Sequence, residues 1–541
     1  MLTFCKKHWV VLTASGIFAV ILSALLCISI SKNQSHLIYS LDDAYIHMAI
    51  AKNFALHGVW GVTKYEFSSS SSSILWTSLL AIFYKILGPM EILPLILNII
   101  FAILILVFVY AIIRKQGFPD WFNLLILVCF IVLPPLLPLL FTGLEHMLHI
   151  LAALMFLYYA ARLLASDKKD FPLSFVVIFL GILLPVIRYE GIVIVAASVF
   201  LFILQKRFRT AICLAVLPLV PIFAFGVYSI SKGWSFFPNS LLLKGSLPDV
   251  YSFSGFVKFV SALSASFMSF KAFIVVSILF FLFIIFATIY FWHKKPAWLK
   301  SFRFNILFLF AANVVLYLVY ARSGWSYRYQ SFLVSLLLLV IVLLLTNKSF
   351  IFSKLKVNSL KAILLLTLMV LFVTVLSYNG IRLMLQIPVT SNNIYEQQYQ
   401  MAKFLEKFYQ NSGVALNDIG ASNYFADIKC IDLWGLSNLE ISKSRREGKF
   451  NNDIIRSITQ KNDVKIAIVY DSWFEENGGT ILPKEWIKAG QWKIIDNIIA
   501  GDDVISVYAL SPEEINKLVI NLKEYSKSLP GDVLESGIYL H

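Results

Sequence analysis

Acidic residues are scarcest where this chain is most apolar. Of 31 Asp and Glu in 541 residues, ten stand before residue 390 (Asp42, Asp43, Glu66, Glu91, Asp120, Glu145, Asp167, Asp170, Glu190 and Asp249) and the other 21 follow it. Basic residues divide 30 to 16 across the same point, so the formal charge of +15 belongs to the front part and the tail is slightly acidic. Cysteine is equally sparse. Of Cys5, Cys27, Cys129, Cys213 and Cys430, only the last lies in the tail, which excludes a disulfide framework, and no spacing suits zinc. No internal repeat is present, and the run Ser68 to Ser73 is a short polar loop segment. Charged residues make up 14% of the chain against 59% hydrophobic, with a mean hydropathy of +0.78, which excludes a soluble single-core protein.

What is there instead is a succession of apolar runs, near 9–30, 74–113, 120–141, 143–163, 171–187, 191–205, 209–230, 271–292, 304–321, 330–346 and 358–378. The first resembles a signal sequence, but its length and the lack of a small-residue cleavage pattern favour a retained anchor. Lys and Arg in short loops stay on the cytoplasmic side of a membrane. That rule places Lys6/Lys7, Arg114/Lys115, Arg162 with Lys168/Lys169, Lys206/Arg207/Arg209, Lys294/Lys295/Lys300/Arg303 and Lys348/Lys354/Lys356 inside. The basic excess thereby goes to membrane orientation, and no nucleic acid is expected as a partner. Outside fall residues 31–72, the loops near 142–146, 188–191, 231–270 and 322–329, and everything after about 380. The stretch 74–113, split at Gly88-Pro89, must then cross an odd number of times, so one half is read as short, re-entrant or steeply tilted. The alternative is that Arg114/Lys115 face outward and the prolines at 134, 135 and 138 hide a further break. The expected fold is an α-helical polytopic membrane protein of 11–13 spans, N-terminus inside, covering residues 1–388.

After Pro388 the composition turns to mixed charge. Strand-like runs at 414–416, 465–470, 492–495 and 504–508 alternate with helical patterns at 394–410 and 452–461. Residues 389–541 therefore read as an extracytoplasmic α/β domain with its own core.

The chemistry-bearing residues cluster on the expected outer side. Asp42 and Asp43 follow Ser40, an arrangement that also suits a helix cap with acids in the first turn. The stripe Ala44, Tyr45, Met48, Ala51, Ala55 before Gly58 predicts an amphipathic helix lying at the outer membrane surface. Glu145, His146 and His149 open the helix after Thr142-Gly143. They suit a helix start with interfacial histidines, the positioning of an acceptor, or a divalent cation shared with Asp42 or Asp43, and no spacing decides among these. Arg188 and Glu190 share the turn Arg188-Tyr189-Glu190-Gly191, Lys244 follows Asn239-Ser240, and Arg328-Tyr329 closes an aromatic-rich loop. Each cation suits an ordinary loop or snorkelling role taken singly. Together on one face, a carboxylate base and fixed cations are what transfer from a phosphate-linked lipid donor requires.

In this order, Asp42-Asp43-Ala44-Tyr45-Ile46, the Ser-rich stretch into Leu75-Trp76, Thr142-Gly143-Leu144-Glu145, Arg188-Tyr189-Glu190-Gly191, Pro238-Asn239-Ser240 with Lys244, and Arg328-Tyr329 resemble the GT-C superfamily of polytopic glycosyltransferases. The likeness is greatest to its arabinofuranosyltransferase-like and lipopolysaccharide mannosyl- or galacturonosyltransferase-like branches. It implies a polyprenyl-phosphate-linked sugar donor, a glycan or lipid acceptor of the cell envelope, membrane lipids as surroundings, the bacterial cytoplasmic membrane as location, and inversion at the anomeric carbon. It also implies that Asp42, and after it Asp43, is the base. Asn417-Asp418-Ile419-Gly420 and Asp432-Leu433-Trp434-Gly435-Leu436 resemble turns of the periplasmic domains appended to some of these enzymes. A membrane transporter or flippase is the main rival, since a dozen helices is also a transporter's size, but transporters set their ionisable groups near mid-membrane in matched halves. A sensor or assembly scaffold that binds through the outer domain is the other.

Overall fold

The computed structural model describes residues 2–166, 170–244, 298–320, 328–344, 360–476 and 478–541. The expected span at 271–292 and the basic clusters Lys168/Lys169, Lys294/Lys295 and Lys348/Lys354/Lys356 lie outside the described residues. Within them the chain is a mostly helical membrane protein followed by a C-terminal α/β domain. Four helices are long and apolar enough to cross a bilayer, and six apolar ones are shorter.

The helices are α1 (Leu2–Lys32), α2 (Asp43–His57), α3 (Ile74–Leu87), α4 (Leu93–Ile113), α5 (Asp120–Val132), α6 (Leu136–Phe141), α7 (His146–Ala165), α8 (Phe171–Ile187), α9 (Gly191–Leu204), α10 (Phe208–Val216), α11 (Leu219–Ser231) and α12 (Asn239–Lys244). After the undescribed stretch come α13 (Phe302–Tyr320), α14 (Ser331–Leu344) and α15 (Leu360–Ile394). Contacts between chain ends sort the loops onto two faces. Tyr110 donates its hydroxyl to the Lys7 carbonyl, Trp9 donates to Asp120, Arg207 donates to the Leu163 and Ser166 carbonyls, and Gln205 donates to the Leu299 carbonyl. This gathers Lys7, Arg114/Lys115, Arg162, Lys206/Arg207 and Lys300 onto one basic face. On the opposite face the Ser40 N–H bonds the Phe141 carbonyl, Thr390 bonds Ser40, and Ser391 bonds the Ile38 carbonyl.

The segment 74–113 settles within this frame. α3 begins beside His47, which bonds Thr77 at 2.7 Å, and ends beside Tyr39, whose hydroxyl reaches the Glu91 carbonyl at 2.7 Å. Its fourteen residues rise about 21 Å, and both ends sit on the face of Asp42. α4 alone makes the crossing. The prolines after Val132 do break the 120–141 run, giving α5 and the short α6, because proline removes an N–H and clashes with the preceding turn.

Two expectations are corrected. Ser40 does not cap α2; Asp42 stands at its N-cap without a side-chain cap bond. Nor is α2 amphipathic with one open side. Ten of its residues, Ala44 to Ala51, Asn53 and Ala55, are buried. Ala44, Tyr45, Met48, Ala49, Ala51 and Ala55 join the core of the membrane helices, while Ile46 and Ile50, one turn apart, join the core of the C-terminal domain. A stripe read as amphipathic is one half of a helix sandwiched on both sides. Gly58, at φ 70°, ends it as expected, its N–H reaching the Phe54 carbonyl and the next N–H, of Val59, the Asn53 carbonyl.

The composition change at Pro388 falls inside α15 rather than at a linker. α15 passes through a π-helical turn, Tyr395–Tyr399, directly into α16 (Gln400–Phe408). The domain then continues as β1 (Gly413–Leu416), α17 (Gly420–Phe425), β2 (Lys429–Asp432), α18 (Leu439–Arg446), α19 (Asn452–Lys461), β3 (Val464–Val469), the two-residue strands β4 (Glu475–Glu476) and β5 (Gly479–Thr480), β6 (Ile487–Lys493), β7 (Val504–Ala509), α20 (Pro512–Tyr525) and β8 (Leu534–Gly537). The main sheet has the order β2-β1-β3-β7-β6-β8, parallel across β2, β1 and β3 and antiparallel beyond. Alternation sends Val414, Leu416, Ile466 and Ile468 to one core with Phe404, Leu405, Leu518 and Leu522, and Ala415, Ala467 and Val469 to the other with Ile441, Ile455 and Ile458. All five expected elements at 394–410, 414–416, 452–461, 465–470 and 504–508 are present, and of the strand expected at 492–495 Trp492 and Lys493 end β6, which begins earlier.

The two-face arrangement is tested by thiol labelling in a chain freed of its own cysteines. Tyr65→Cys and Lys449→Cys, both exposed, should react with an impermeant reagent under the same conditions, and Lys115→Cys only after the membrane is opened. Labelling of all three together would contradict the assignment of faces.

Candidate functional site

The site grows from four helix ends. Asp43, in the first turn of α2, accepts from Arg328 at 2.8 Å. Arg328 precedes α14 and also donates to the Tyr329 hydroxyl at 2.9 Å. The Tyr329 ring lies 4.8 Å from the Arg328 guanidinium carbon and 5.2 Å from that of Arg188, so two cations share one aromatic neighbour. Arg188, at the C-cap of α8, donates to Glu145 at 2.5 Å and to Glu190 at 3.1 Å. His146 and His149 begin α7 beside Glu145, and the His149 ring packs edge-on against Phe332 at 4.9 Å. Two guanidiniums and three carboxylates, from segments far apart in sequence, thus form one cluster.

Close backbone approach makes this possible. Gly143 has φ +69°, and a Cβ there would stand 2.7 Å from the Tyr39 ring and 2.9 Å from the Ala44 Cβ. At Gly191 a Cβ would meet the Leu184 carbonyl at 2.4 Å, so the Arg188-to-Gly191 turn closes tightly on α8. Both arginine side chains are less than a tenth exposed, and the Glu145 side chain is fully buried. Among the described residues, Glu145 Oε2, Arg328 Nε, His146 Nε2 and His149 Nε2 have no hydrogen-bond partner. Burial opposes the charge of Glu190, but the Arg188 guanidinium and its hydrogen bond hold the carboxyl below its ordinary value.

Asp42 faces the other way, into the C-terminal domain. Its Oδ2 accepts from the Gly420 N–H at 2.7 Å and its Oδ1 from the Ala421 N–H at 2.8 Å, at the start of α17. It therefore caps a helix 378 residues away instead of its own. Burial and then the Asp418 carboxylate push Asp42 up to about 8, against the pull of the two N–H groups, with Asp43 adding to the rise. Asp418 in turn accepts from Tyr470 at 2.8 Å and Gln398 at 2.9 Å.

A second seam joins the domain to the membrane part. Asp432, fully buried, accepts from the N–H groups of Trp434, Gly435 and Ser437 and shapes a turn with Gly435 at φ +96°. The turn presents its Gly435 carbonyl to the Asn239 amide at 2.9 Å and its Leu436 carbonyl to the Ser70 hydroxyl at 3.0 Å. Asn239 is thus engaged in docking, its own N–H bonding the Ser69 carbonyl, and not with the arginine cluster. The serine run, unremarkable in sequence, is buried except for Ser72, with Ser69 and Ser70 in this seam. The Lys244 side chain lies outside the described residues. Among those residues, no group of three or more His, Cys, Asp or Glu could hold a metal ion. Glu145 is already held by Arg188, and Asp43 by Arg328.

Sequence reasoning missed Ser70, Asp418, Gly420 and Tyr470 as parts of the site. The two C-terminal motifs singled out, at 417–420 and 432–436, were the available signal, since both prove to be docking turns.

Fold and site define a polytopic helical membrane protein whose α/β domain closes over a buried charged cluster. Residues 392–508 match a family described as a domain of unknown function (DUF8728). No curated protein matches the chain. Among solved structures, the crystal structure of ArnT from Cupriavidus metallidurans bound to undecaprenyl phosphate is similar with a TM-score of 0.49 and 10% identity, covering 92% of this chain and 99% of that one. Its apo state gives 0.48 and 11% over 93% and 99%. The Archaeoglobus fulgidus oligosaccharyltransferase tethered with an acceptor peptide gives 0.46 and 13%, covering 95% of this chain and 75% of that one.

The docking contact yields two expectations. A Cβ at Gly420 would lie 2.1 Å from the Asp42 carbonyl oxygen and 2.6 Å from its carboxylate, so Gly420→Ala should weaken domain attachment by about 1–3 kcal/mol, read as faster protease release of the C-terminal domain. Because Asp42 binds its proton more tightly in the folded chain, attachment should weaken as pH rises from its ordinary value of 3.8 to about 8 and then level off. In Asp42→Asn that part of the pH dependence should vanish from thermal unfolding curves; an unchanged pH profile would assign the titration to another group.

Proposed function

We propose that this chain is a GT-C-type glycosyltransferase that moves a sugar from a polyprenyl-phosphate-linked donor to a glycan or lipid acceptor, with inversion, at the outer face of the bacterial cytoplasmic membrane. The observation that carries the reading is the cluster of Arg188 and Arg328 around Tyr329, held in place by Asp43, Glu145 and Glu190 at the membrane-helix ends beneath the α/β domain. The basic face is the cytoplasmic one by the distribution of Lys and Arg in its loops. That puts the cluster and the C-terminal domain outside.

In the reaction the acceptor hydroxyl oxygen bonds to the anomeric carbon as the bond from that carbon to the phosphate oxygen breaks. The hydroxyl proton passes to Asp42, and the lipid phosphate leaves with the bonding pair. Asp42 takes this role with both oxygens held by the Gly420 and Ala421 N–H groups, so the acceptor hydroxyl must enter at the seam between α2 and the α/β domain, where burial and the Asp418 carboxylate raise the proton affinity of Asp42 as a base requires. Each of its oxygens keeps a lone pair beyond the one given to an N–H. Asp43 keeps the Arg328 fork turned towards the site, and Glu145 and Glu190 do the same for Arg188. Arg328 Nε, buried and unpartnered among the described residues, is a donor ready for a phosphate oxygen. Preorganised donors of this kind are worth roughly 10²–10³ each in turnover.

The test is transfer from polyprenyl-phosphate-linked sugars by purified protein in vesicles. Asp42→Asn should reach the membrane at normal levels and lose at least about 10² in turnover, while Asp43→Asn should chiefly raise the KM for donor. Arg188→Lys and Arg328→Lys should each lower kcat, because a point charge does not replace a planar fork. Near-normal transfer by Asp42→Asn and by the double Asp42/Asp43 variant would remove the proposed base. Intact turnover after neutral substitution of both arginines would require the phosphate to be held elsewhere.

A further inference from the structure

Far from this site, at the basic face, α1 and α4 leave between them a groove of about 780 Å³, within the size range of sites that hold small molecules and cofactors. Its walls are apolar, with Val11 and Leu12 on one helix and Ile103 and Val107 on the other. Its end is cationic: Arg114 and Lys115 close it, with His8 nearby, its ring edge-on to Tyr110. From Ile103 to Lys115 the α4 side rises about 18 Å, against about 15 Å for half a hydrocarbon core. The groove is therefore one leaflet deep, apolar where acyl chains lie and basic where headgroups begin. Arg114 and Lys115 are both exposed, and neither forms an ion pair among the described residues. Asp120, a few residues on, is engaged by the Trp9 indole N–H at 3.0 Å. A cationic pocket between membrane helices on the cytoplasmic side is the arrangement that recognises anionic headgroups.

We propose that this groove seats one anionic diacyl phospholipid of the adjoining leaflet, with an acyl chain along Val11, Leu12, Ile103 and Val107 and the phosphate on Arg114 and Lys115. A zwitterionic lipid brings its own ammonium and leaves the two cations uncompensated. A polyprenyl phosphate brings a single chain far longer than the groove is deep. The site is separate from the transfer chemistry and is read by lipid mass, not by turnover.

The full chain is extracted from vesicles of equal phosphatidylglycerol and phosphatidylcholine, and retained lipid is measured by native mass spectrometry. One phosphatidylglycerol per chain should persist, favoured about tenfold or more over phosphatidylcholine, as two cations near the surface imply. Arg114→Gln with Lys115→Gln should abolish the preference, and the exchanged pair Arg114→Lys with Lys115→Arg should keep it. Ala111→Trp, which fills the groove and leaves both charges, should also lose the retained lipid. Equal retention of the two lipids, retention in the glutamine variant, or retention after the groove is filled would each overturn the proposal. So would displacement of phosphatidylglycerol by equimolar undecaprenyl phosphate, which would make the polyprenyl lipid the occupant.

Discussion

The site depends on the burial of α2 between two hydrophobic cores. Tyr45 and Met48 commit one side to the membrane helices, and Ile46 and Ile50 commit the other to the α/β domain. At about 1.5–3 kcal/mol for each large side chain, neither core can release α2 cheaply. The carboxylate pair sits at its first turn and inherits this rigidity. Adjacent residues on a helix diverge, so Asp42 and Asp43 point to different partners: one to the α17 N–H groups, the other to Arg328. A single turn of helix thereby couples docking of the domain to placement of a cation.

The cluster beyond Asp43 obeys the rule that buried charges must be compensated. Desolvation makes each guanidinium expensive alone, and Arg188 has Glu145 and Glu190 while Arg328 has Asp43. Hydrogen bonds between charged groups are short and directional, so compensation also fixes orientation. The acids that are rare in the front part of the chain are therefore not spread along it. Four of the ten, Asp42, Asp43, Glu145 and Glu190, hold this one region.

Much of this was legible in the sequence for physical reasons. Long apolar runs can only be membrane or core helices, and basic loops sort faces, so Asp42, Asp43, Arg188, Lys244 and Arg328 were read onto one face before any coordinates. Short strand-like runs such as Lys465 to Tyr470 pointed to the strands. The reading of α2 failed because an apolar stripe marks one buried side and says nothing about the other, which here is covered by a domain nearly four hundred residues away. Sequence separation likewise hid the docking role of Ser70 and Asn239. Nothing local in those residues reveals a partner; only the tertiary fold brings Leu436 onto Ser70 and Gly435 onto Asn239. Pro388 was read as a boundary from composition, yet the helix runs through it, since neighbouring groups can satisfy the carbonyl that a proline leaves free.

That uninterrupted helix has a mechanical consequence. α15, 35 residues long, is a strut of about 52 Å, and it enters α16, part of the domain's core, with no slack between them. The domain therefore cannot swing on a flexible tether. Its freedom is confined to the two places where the strut can bend, the proline at 388 and the π turn at Tyr395–Tyr399. Lever and load are one piece, and a tilt of a few degrees in the last membrane helix is delivered, magnified by length, at the contact between Gly420 and Asp42.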